Sequence, residues 1–271
     1  MPGPDRAPVG AAAADAEDLA LLERAARAAG PIALLYWRRA PEAWEKPGDA
    51  GPVSEADLAV DRALRETLMA ARPGYGWLSE ETPDDLARLS HEDVFIVDPI
   101  DGTRAYLAGE KEFALSLAVV RRGRVVAGVV HLPARDLTYT AALGGPALCN
   151  GLPISASSRA SLSGASLMTN RANLDPAQWP GGLPDVKRVF RSSLAYRLCL
   201  AAEGRADAML SLRPTWEWDA AAGSLIAAAA GCVISDRHGA ALVFNRQDAR
   251  ADGIVAAPPA LHAELMARLH P

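Results

Sequence analysis

The segment Asp98-Pro99-Ile100-Asp101-Gly102-Thr103 concentrates the residue types that could do chemistry in this sequence. The four apolar residues Val94 to Val97 predict a strand that delivers Asp98 to its C-terminal end. Pro99 is expected to stop that strand, and Asp101 follows three residues after Asp98. Gly102 and Thr103 then open a short helical stretch, Arg104 to Ala108. Two carboxylates in one turn repel each other strongly unless positive charge sits between them. A hard divalent cation answers that need, because Mg²⁺ prefers oxygen ligands and keeps positions open for water and phosphate. Amides at the start of a helix beside the cation add a cradle for phosphate oxygens.

A purely structural role would have Asp98 cap a strand and Asp101 cap a helix. Two further features outweigh it. Glu80 and Glu81 follow the predicted strand Trp77-Leu78-Ser79, so a neighbouring strand can bring more carboxylate to the same edge. Asp219 lies in Trp216-Glu217-Trp218-Asp219-Ala220-Ala221-Ala222-Gly223, where an acid opens a helix whose small residues permit close packing against a site. Glu217 is expected to be an exposed helix-entry acid, and Trp218 to support Asp219.

Two rival classes share some of these features. Phosphatases that form a covalent aspartyl phosphate carry D-x-D-G-T, but here the acids are three apart, and in a regular extended strand that spacing sends them to opposite faces. A non-catalytic metal- or nucleotide-binding module would keep the carboxylates and release no phosphate. The five histidines form no H-x-x-x-H or Cys/His cluster, which argues against zinc, and His131 at the end of an apolar run reads as structural. There is no G-x-S-x-G, no G-x-x-x-x-G-K-[ST] and no EF-hand spacing.

The elements that must position these residues can be read outward from them. An alanine-rich helix is predicted from Asp15 to about Arg39, after an Ala/Pro/Gly-rich tail at 1–14. Pro41 to Pro52 reads as a loop, and its part from Lys46 onward is expected to close over the site. Ser54 looks like an N-cap, with Val60, Leu64 and Leu68 forming one buried helix face before Pro73-Gly74. Phe113–Val120 and Val125–Leu132 predict a hairpin whose tip, Arg121, Arg122 and Arg124, is solvated, and Leu137–Ala142 extends it as a meander. Past a Gly/Pro/Asn-rich stretch at 144–153, strands (Val186–Phe190, Ala206–Leu210, Cys232–Ser235) alternate with helices from about Ser192 and from Trp218 to Ala230, which indicates an α/β second half.

Composition limits the partners. At about 150 residues per domain, 271 residues make two domains or one large one. The 28 Lys+Arg against 33 Asp+Glu give a net charge of −5, which argues against a nucleic-acid polymer as partner. The apolar stretch 220–235 is too short to span a membrane, and no signal-peptide core is visible. Three widely spaced cysteines fit a reducing compartment, and a cytoplasmic location is expected.

Four segments together resemble the inositol monophosphatase superfamily of Mg²⁺-dependent phosphatases: P-V-S-E-A-D at 52–57, W-L-S-E-E at 77–81, D-P-I-D-G-T at 98–103 and W-D-A-A-A-G at 218–223. The resemblance runs from about residue 15 to the C-terminus. It implies a layered α-β-α-β-α fold in which a half at 15–150 carries most metal ligands and a half at 151–271 completes the site. Two to three Mg²⁺ are implied. Glu80, Asp98 and the Ile100 carbonyl would hold one, and Asp98, Asp101 and Asp219 a second, with a weaker third near Glu80. Asp57 and Thr103 would stand beside the attacking water, with Glu80 completing the catalytic set. Gly102, Thr103 and Asp219 would face the substrate.

The implied reaction is in-line hydrolysis of a phosphomonoester by a metal-activated water. Its partner would be a small phosphorylated metabolite, with a homodimer open to the chain. Leu212 stands where the inositol phosphatase branch has an acid that contacts sugar hydroxyls. Arg213-Pro214-Thr215-x-x-Trp218-Asp219-x-Ala221-Ala222-Gly223 and Ser192-Ser193-Leu194 are more similar to the 3′(2′),5′-bisphosphate nucleotidase branch, whose substrate is adenosine 3′,5′-bisphosphate. Arg104-Ala105-Tyr106 departs from that branch's K-E-F and resembles the G-T-R-A-[FY] of histidinol-phosphate phosphatases, so inositol 1-phosphate and histidinol phosphate stay open as alternatives.

Overall fold

The structure, a computed structural model, describes residues 9–46 and 51–271. Helix α1 (Val9–Tyr36) leads into a hairpin of β1 (Ala43–Glu45) and β2 (Pro52–Ser54), followed by helix α2 (Glu55–Ala71). A seven-stranded sheet comes next, in chain order across its width: β3 (Gly76–Ser79), β4 (Asp93–Asp101), β5 (Ala114–Arg121), β6 (Arg124–Leu132), β7 (Leu137–Ala142), β8 (Leu148–Cys149) and β9 (Leu152–Pro153). Only β3 and β4 run parallel; the other neighbours are antiparallel. The short helix α3 (Thr103–Leu107) sits between β4 and β5.

The second half builds a five-stranded sheet from β10 (Ala165–Met168), β11 (Val186–Val189), β12 (Ala208–Ser211), β14 (Val233–Ser235) and β16 (Ile254–Ala257), in the order β11-β10-β12-β16-β14. Its helices are α4 (Leu194–Ala202), α5 (Glu217–Ala229) and α6 (Pro259–Leu269). A small ladder joins β13 (Thr215–Trp216), just before α5, to β15 (Arg250–Ala251).

The period-two alternation of the large sheet divides the core. Phe95 and Val97 of β4, with Leu115, Leu117 and Val119 of β5, pack under α1 and α2, where Leu22, Val60, Leu64 and Leu68 are buried. Val94 and Ile96, with Ala114, Ala118 and Val120, face the opposite way onto α4 and α5. Those two helices are covered on their far side by Met209, Ile254 and Ala256 of the second sheet. That sheet's outer face, including Leu167, Leu210 and Val255, carries Leu261, Leu265 and Leu269 of α6. The layers are therefore α-β-α-β-α, as the resemblance implies.

The alanines and glycine of α5 let it lie deep between its neighbours. A Cβ on Gly128 of β6 would come within 2.9 Å of the Ala222 carbonyl, and one on Gly223 within 2.8 Å of Leu198 of α4. Backbone and short side chains fill the space that larger residues would contest.

Several sequence expectations are corrected. Helix α1 begins at Val9, ahead of Asp15, and closes at Tyr36, so Arg38 and Arg39 lie beyond it, Arg38 with φ of +62°. Residues 1–8 of the expected tail lie outside the described residues. The stretch expected as a loop, Pro41 to Pro52, contains β1 and the start of β2, paired Ala43 to Ser54 and Glu45 to Pro52; residues 47–50 lie outside the described residues. Arg121 is no solvated tip: it bonds the carboxylates of Asp15, Asp18 and Asp93, while Arg122 stays exposed.

Pro99 does not end β4. The ladder pairs Asp98 with Ser116 and then Asp101 with Ala114, so three steps on β4 match two on β5 and the strand bulges by one residue. Because Ser116 and Ala114 share a face, the bulge puts Asp98 and Asp101 on that same face, with Ile100 turned the other way into the α1/α2 core. The expectation that three-residue spacing keeps the two acids apart fails for this reason.

Replacing Gly223 with Ala should overpack the α4–α5 contact and destabilise the fold by about 1–3 kcal/mol. Denaturant unfolding of the purified chain measures it, and an unchanged midpoint would mean that the helices separate without cost.

Candidate active site

Parallel pairing sets the site. Strands β3 and β4 point the same way, with Ser79 opposite Val97, so both chains leave the sheet at one edge. Glu80 leaves β3 there, its amide donating to the Val97 carbonyl at 3.2 Å, while Asp98 continues β4 beside it. Asp219 is the third residue of α5, in the first turn, where the helix dipole favours an acid. The Ser116 hydroxyl of β5 donates to the Trp218 carbonyl at 2.9 Å and fixes that helix start over the sheet edge. One carboxylate oxygen from each of Glu80, Asp98 and Asp219 then lies within 4.8 Å of the other two.

Charge is concentrated here beyond what the chain itself neutralises. Burial pushes Asp98 well above the usual carboxylate range, and the charges of Glu80, Asp101 and Asp219 add to it. Burial does the same to Asp219, with Asp101 and Glu80 adding, against a pull from Arg197 and Arg213. Neither Asp98 nor Asp219 makes an ion pair among the described residues. Converging carboxylate oxygens, those of Asp98 and Asp219 free of any ion pair among the described residues, suit a hard divalent cation.

Asp101 is turned toward α4. Its Oδ2 accepts from the Ser193 hydroxyl at 2.6 Å and the Ala195 amide at 2.7 Å, and these bonds partly offset the upward push of burial. Ser193 also caps α4, accepting from the Tyr196 amide. Ile100 is fully buried; its amide donates to Asp98 Oδ1 at 2.9 Å. Gly102 has φ of +98°, and a Cβ there would meet the Glu112 carbonyl at 3.0 Å, so both backbone conformation and space call for glycine at this turn.

Asp57 and Thr103 meet, although 46 residues separate them. The Thr103 hydroxyl lies 3.2 Å from Asp57 Oδ1 and 3.1 Å from the Ile100 carbonyl, and its one proton serves either. Asp57 is the third residue of α2, and its Oδ2 accepts from the Ser54 amide at 2.9 Å and hydroxyl at 2.5 Å. Burial pushes its carboxyl up to about 6, against these bonds and with the Glu80 charge adding.

Lys46, just after β1, donates to Glu80 Oε1 at 2.8 Å and Glu81 Oε1 at 2.6 Å. Burial pushes Glu81 up to about 7 even so. A cleft of about 350 Å³ opens there, lined by Trp44, Lys46, Val53, Leu58, Glu80 and Glu81.

Glu217 corrects the sequence expectation of an exposed acid: it is completely buried. It accepts from the backbone amides of Asn245 at 2.6 Å and Arg246 at 2.9 Å, and burial pushes it up to about 7. The buried Arg88 guanidinium, held by Asp84, reaches the same loop through Asn245 Oδ1 at 2.6 Å and the Arg246 carbonyl at 2.8 Å. Asp219 thus starts from a helix end anchored on two sides. Ser193 was missed as a site residue, though a serine before an apolar helical run is a legible cap signal. His131 is structural as expected, buried with Nδ1 2.9 Å from the Thr138 hydroxyl.

The model of the inositol monophosphatase family matches residues 15–271. The chain belongs to the inositol monophosphatase family. Curated relatives of the family member described here include the inositol-1-monophosphatase of Rhizobium meliloti, 36% identical over 71% of this chain and 74% of that protein. The Nus factor SuhB of Haemophilus influenzae is 32% identical over 92% and 94%. The 3′(2′),5′-bisphosphate nucleotidase CysQ of Escherichia coli K12 is 29% identical over 74% and 82%. Among solved structures, the Thermotoga maritima IMPase superposes with a TM-score of 0.79 at 26% identity, covering 94% of this chain and 96% of that one. The SuhB protein of Bartonella henselae gives 0.78 at 27%, covering 94% and 98%. Membership makes this chain a phosphatase of the inositol monophosphatase family. No helix among the described residues is long and apolar enough to cross a membrane.

The raised carboxyls carry a pH signature. Asp57 and Glu81 hold their protons more tightly folded than unfolded, so the stability they contribute is present at low pH and lost as pH rises through about 6 to 7. A cation bound beside them, at Glu80, Asp98 and Asp219, would offset that loss. The rise in Tm on adding Mg²⁺ to chelator-treated protein should therefore be larger at about pH 8 than at about pH 5. Differential scanning fluorimetry at both values checks it, and a larger rise at the acidic value would contradict the reading.

Proposed function

We propose that this family member is a Mg²⁺-dependent phosphomonoesterase whose substrate is a small metabolite with a second anionic group, best represented by adenosine 3′,5′-bisphosphate. The observation that carries the substrate class is at 212–213. Leu212 is 2% exposed and packs into the core under α6, where it offers nothing to a sugar hydroxyl. Arg213, next to it, is exposed, and its charge is felt at Asp219. An apolar residue where a polyol-binding enzyme would place an acid, with an exposed cation next to it, favours a substrate with an extra phosphate over a neutral ring. The CysQ relative is named for such a substrate. A second reading, inositol 1-phosphate, draws on the higher identity of the Rhizobium relative.

The residues present fit the metal. Glu80, Asp98 and the Ile100 carbonyl would hold one Mg²⁺, and Asp98, Asp101 and Asp219 a second, with a weaker third near Glu80. When bound, the metal acidifies the attacking water, clamps phosphate oxygens and neutralises the leaving alkoxide. The chain's own residues do the rest. Thr103, donating to Asp57, keeps a lone pair for the water's proton and so orients the water. Asp57, with its carboxyl near 6, is a usable proton acceptor close to neutral pH. The amides of Gly102 and Thr103 hold phosphate oxygens at the turn that only glycine fits.

Thr103→Val keeps the shape and removes the hydroxyl, and should lower kcat by about 10²-fold or more. A rise in KM with kcat intact would show that Thr103 binds substrate without orienting water. The substrate assignment is tested by kcat/KM for adenosine 3′,5′-bisphosphate, inositol 1-phosphate and histidinol phosphate under one Mg²⁺ condition, with excess chelator as the blank. The bisphosphate should lead. A preference of about tenfold or more for inositol 1-phosphate, roughly 1.4 kcal/mol in transition-state binding, overturns the assignment, and full activity in chelator overturns the metal mechanism.

A further inference from the structure

Arg197 is a buried cation near the site that the reaction does not use. It sits on α4, one turn after Ser193, to whose carbonyl its amide is bonded at 3.2 Å. Side chains on a helix lean toward its N-terminus, and the guanidinium does so: Nη2 donates to the Ser192 carbonyl at 3.1 Å, and Cζ lies 4.9 Å from the centroid of the Phe190 ring. Arg197 is 6% exposed, and its Nε is the only buried side-chain polar atom without a hydrogen-bond partner among the described residues. It forms no ion pair among them either; Arg191, nearby in sequence, takes Glu112.

Such a placement is costly. A buried guanidinium normally needs a carboxylate in contact, and the N-terminus of a helix repels positive charge. The opposing charge that reaches Arg197 comes, without contact, from Asp101 and Asp219. Asp101 accepts from Ser193 and Ala195 on the same helix end, and the guanidinium lies within the field of both Asp101 and Asp219. Arg213 is the other cation felt at Asp219, but it is exposed and open to screening by salt.

We propose that Arg197 is a positioning residue of an electrostatic kind, a fixed internal cation that keeps the carboxylate centre's affinity for divalent metal lower than the carboxylates alone would give. A like charge held beside the centre opposes each incoming dication and eases its departure with product. This inference rests on the metal-centre reading above and adds to it a residue that contacts no ligand atom.

The sign of the effect separates this role from a structural one. If Arg197 only pinned the turn at 190–193, losing it would loosen the support of Asp101 and weaken metal binding. If it acts through charge, losing it tightens binding. Calorimetric titration of the full chain with Mg²⁺ alone, and electron paramagnetic resonance titration with Mn²⁺ alone, both without substrate, give the Kd directly. Arg197→Met and Arg197→Gln should lower Kd by about three- to tenfold, as expected for one buried charge acting on a dication across a polar cleft. The difference from the parent should persist at high salt. Arg197→Lys, which keeps the charge, should stay within about twofold of the parent. An unchanged or raised Kd in a folded neutral variant overturns the inference, as does equal tightening in Arg197→Lys, a variant whose conserved charge keeps the test open if the neutral ones do not fold. Failure of the parent itself to bind Mg²⁺ or Mn²⁺ would instead overturn the metal centre.

Discussion

Mutual repulsion of clustered carboxylates is the constraint on which the site's construction depends. Glu80, Asp98 and Asp219 come from three separate elements, and nothing in the chain neutralises Asp98 or Asp219 by contact. Left to side-chain freedom, these groups would swing apart into water. The fold prevents this by placing each on a backbone with no slack. Glu80 and Asp98 leave adjacent parallel strands, and Asp219 opens a helix held to the sheet by Ser116 and to the 245–246 loop by Glu217. The layered core supplies the stiffness, since α5 lies against β6 and α4 at distances that only Gly128 and Gly223 permit.

The chain meets the same electrostatic problem differently at each acid. Asp57 is satisfied by Ser54 and Thr103, and Asp101 by Ser193 and the Ala195 amide. Glu80 and Glu81 share Lys46. Asp98 keeps one bond, from the Ile100 amide. A gradient results, from Asp57, with both oxygens bonded within the protein, through Asp101, bonded at Oδ2, to acids whose oxygens are largely left for something else. That gradient identifies where a cation belongs more sharply than the count of acids does.

Much of this was legible in the sequence, for identifiable reasons. Glu80 at the end of an apolar run and Ser54 before a four-residue periodicity are local signals, and the structure follows them, whereas β4 runs past Asp98 to Asp101. The layering followed from the resemblance. Long-range contacts were not legible. Glu217 looks like any acid at a helix start, and only the folded chain brings the amides of Asn245 and Arg246 onto it. Arg121 belongs to a run of basic residues in the sequence, yet meets Asp15, which is 106 positions away. Helix α6 is legible in the four-residue spacing of Leu261, Leu265 and Leu269, whereas strand β16 is a short apolar run that carries no periodicity of its own.

The one-residue bulge in β4 has a consequence for how this site can change over time. In a strand, facing is a matter of parity, and every residue beyond a bulge has its parity inverted. Asp98 and Asp101 look the same way only because the count between them is out of step with β5. Removing a residue from Pro99-Ile100 would straighten the strand and send one acid into the apolar layer under α1 and α2. Point substitutions here can be tuned or compensated one at a time, but a change in length cannot. A change in chain length is thereby confined to places outside this ladder, such as the turn carrying Arg213.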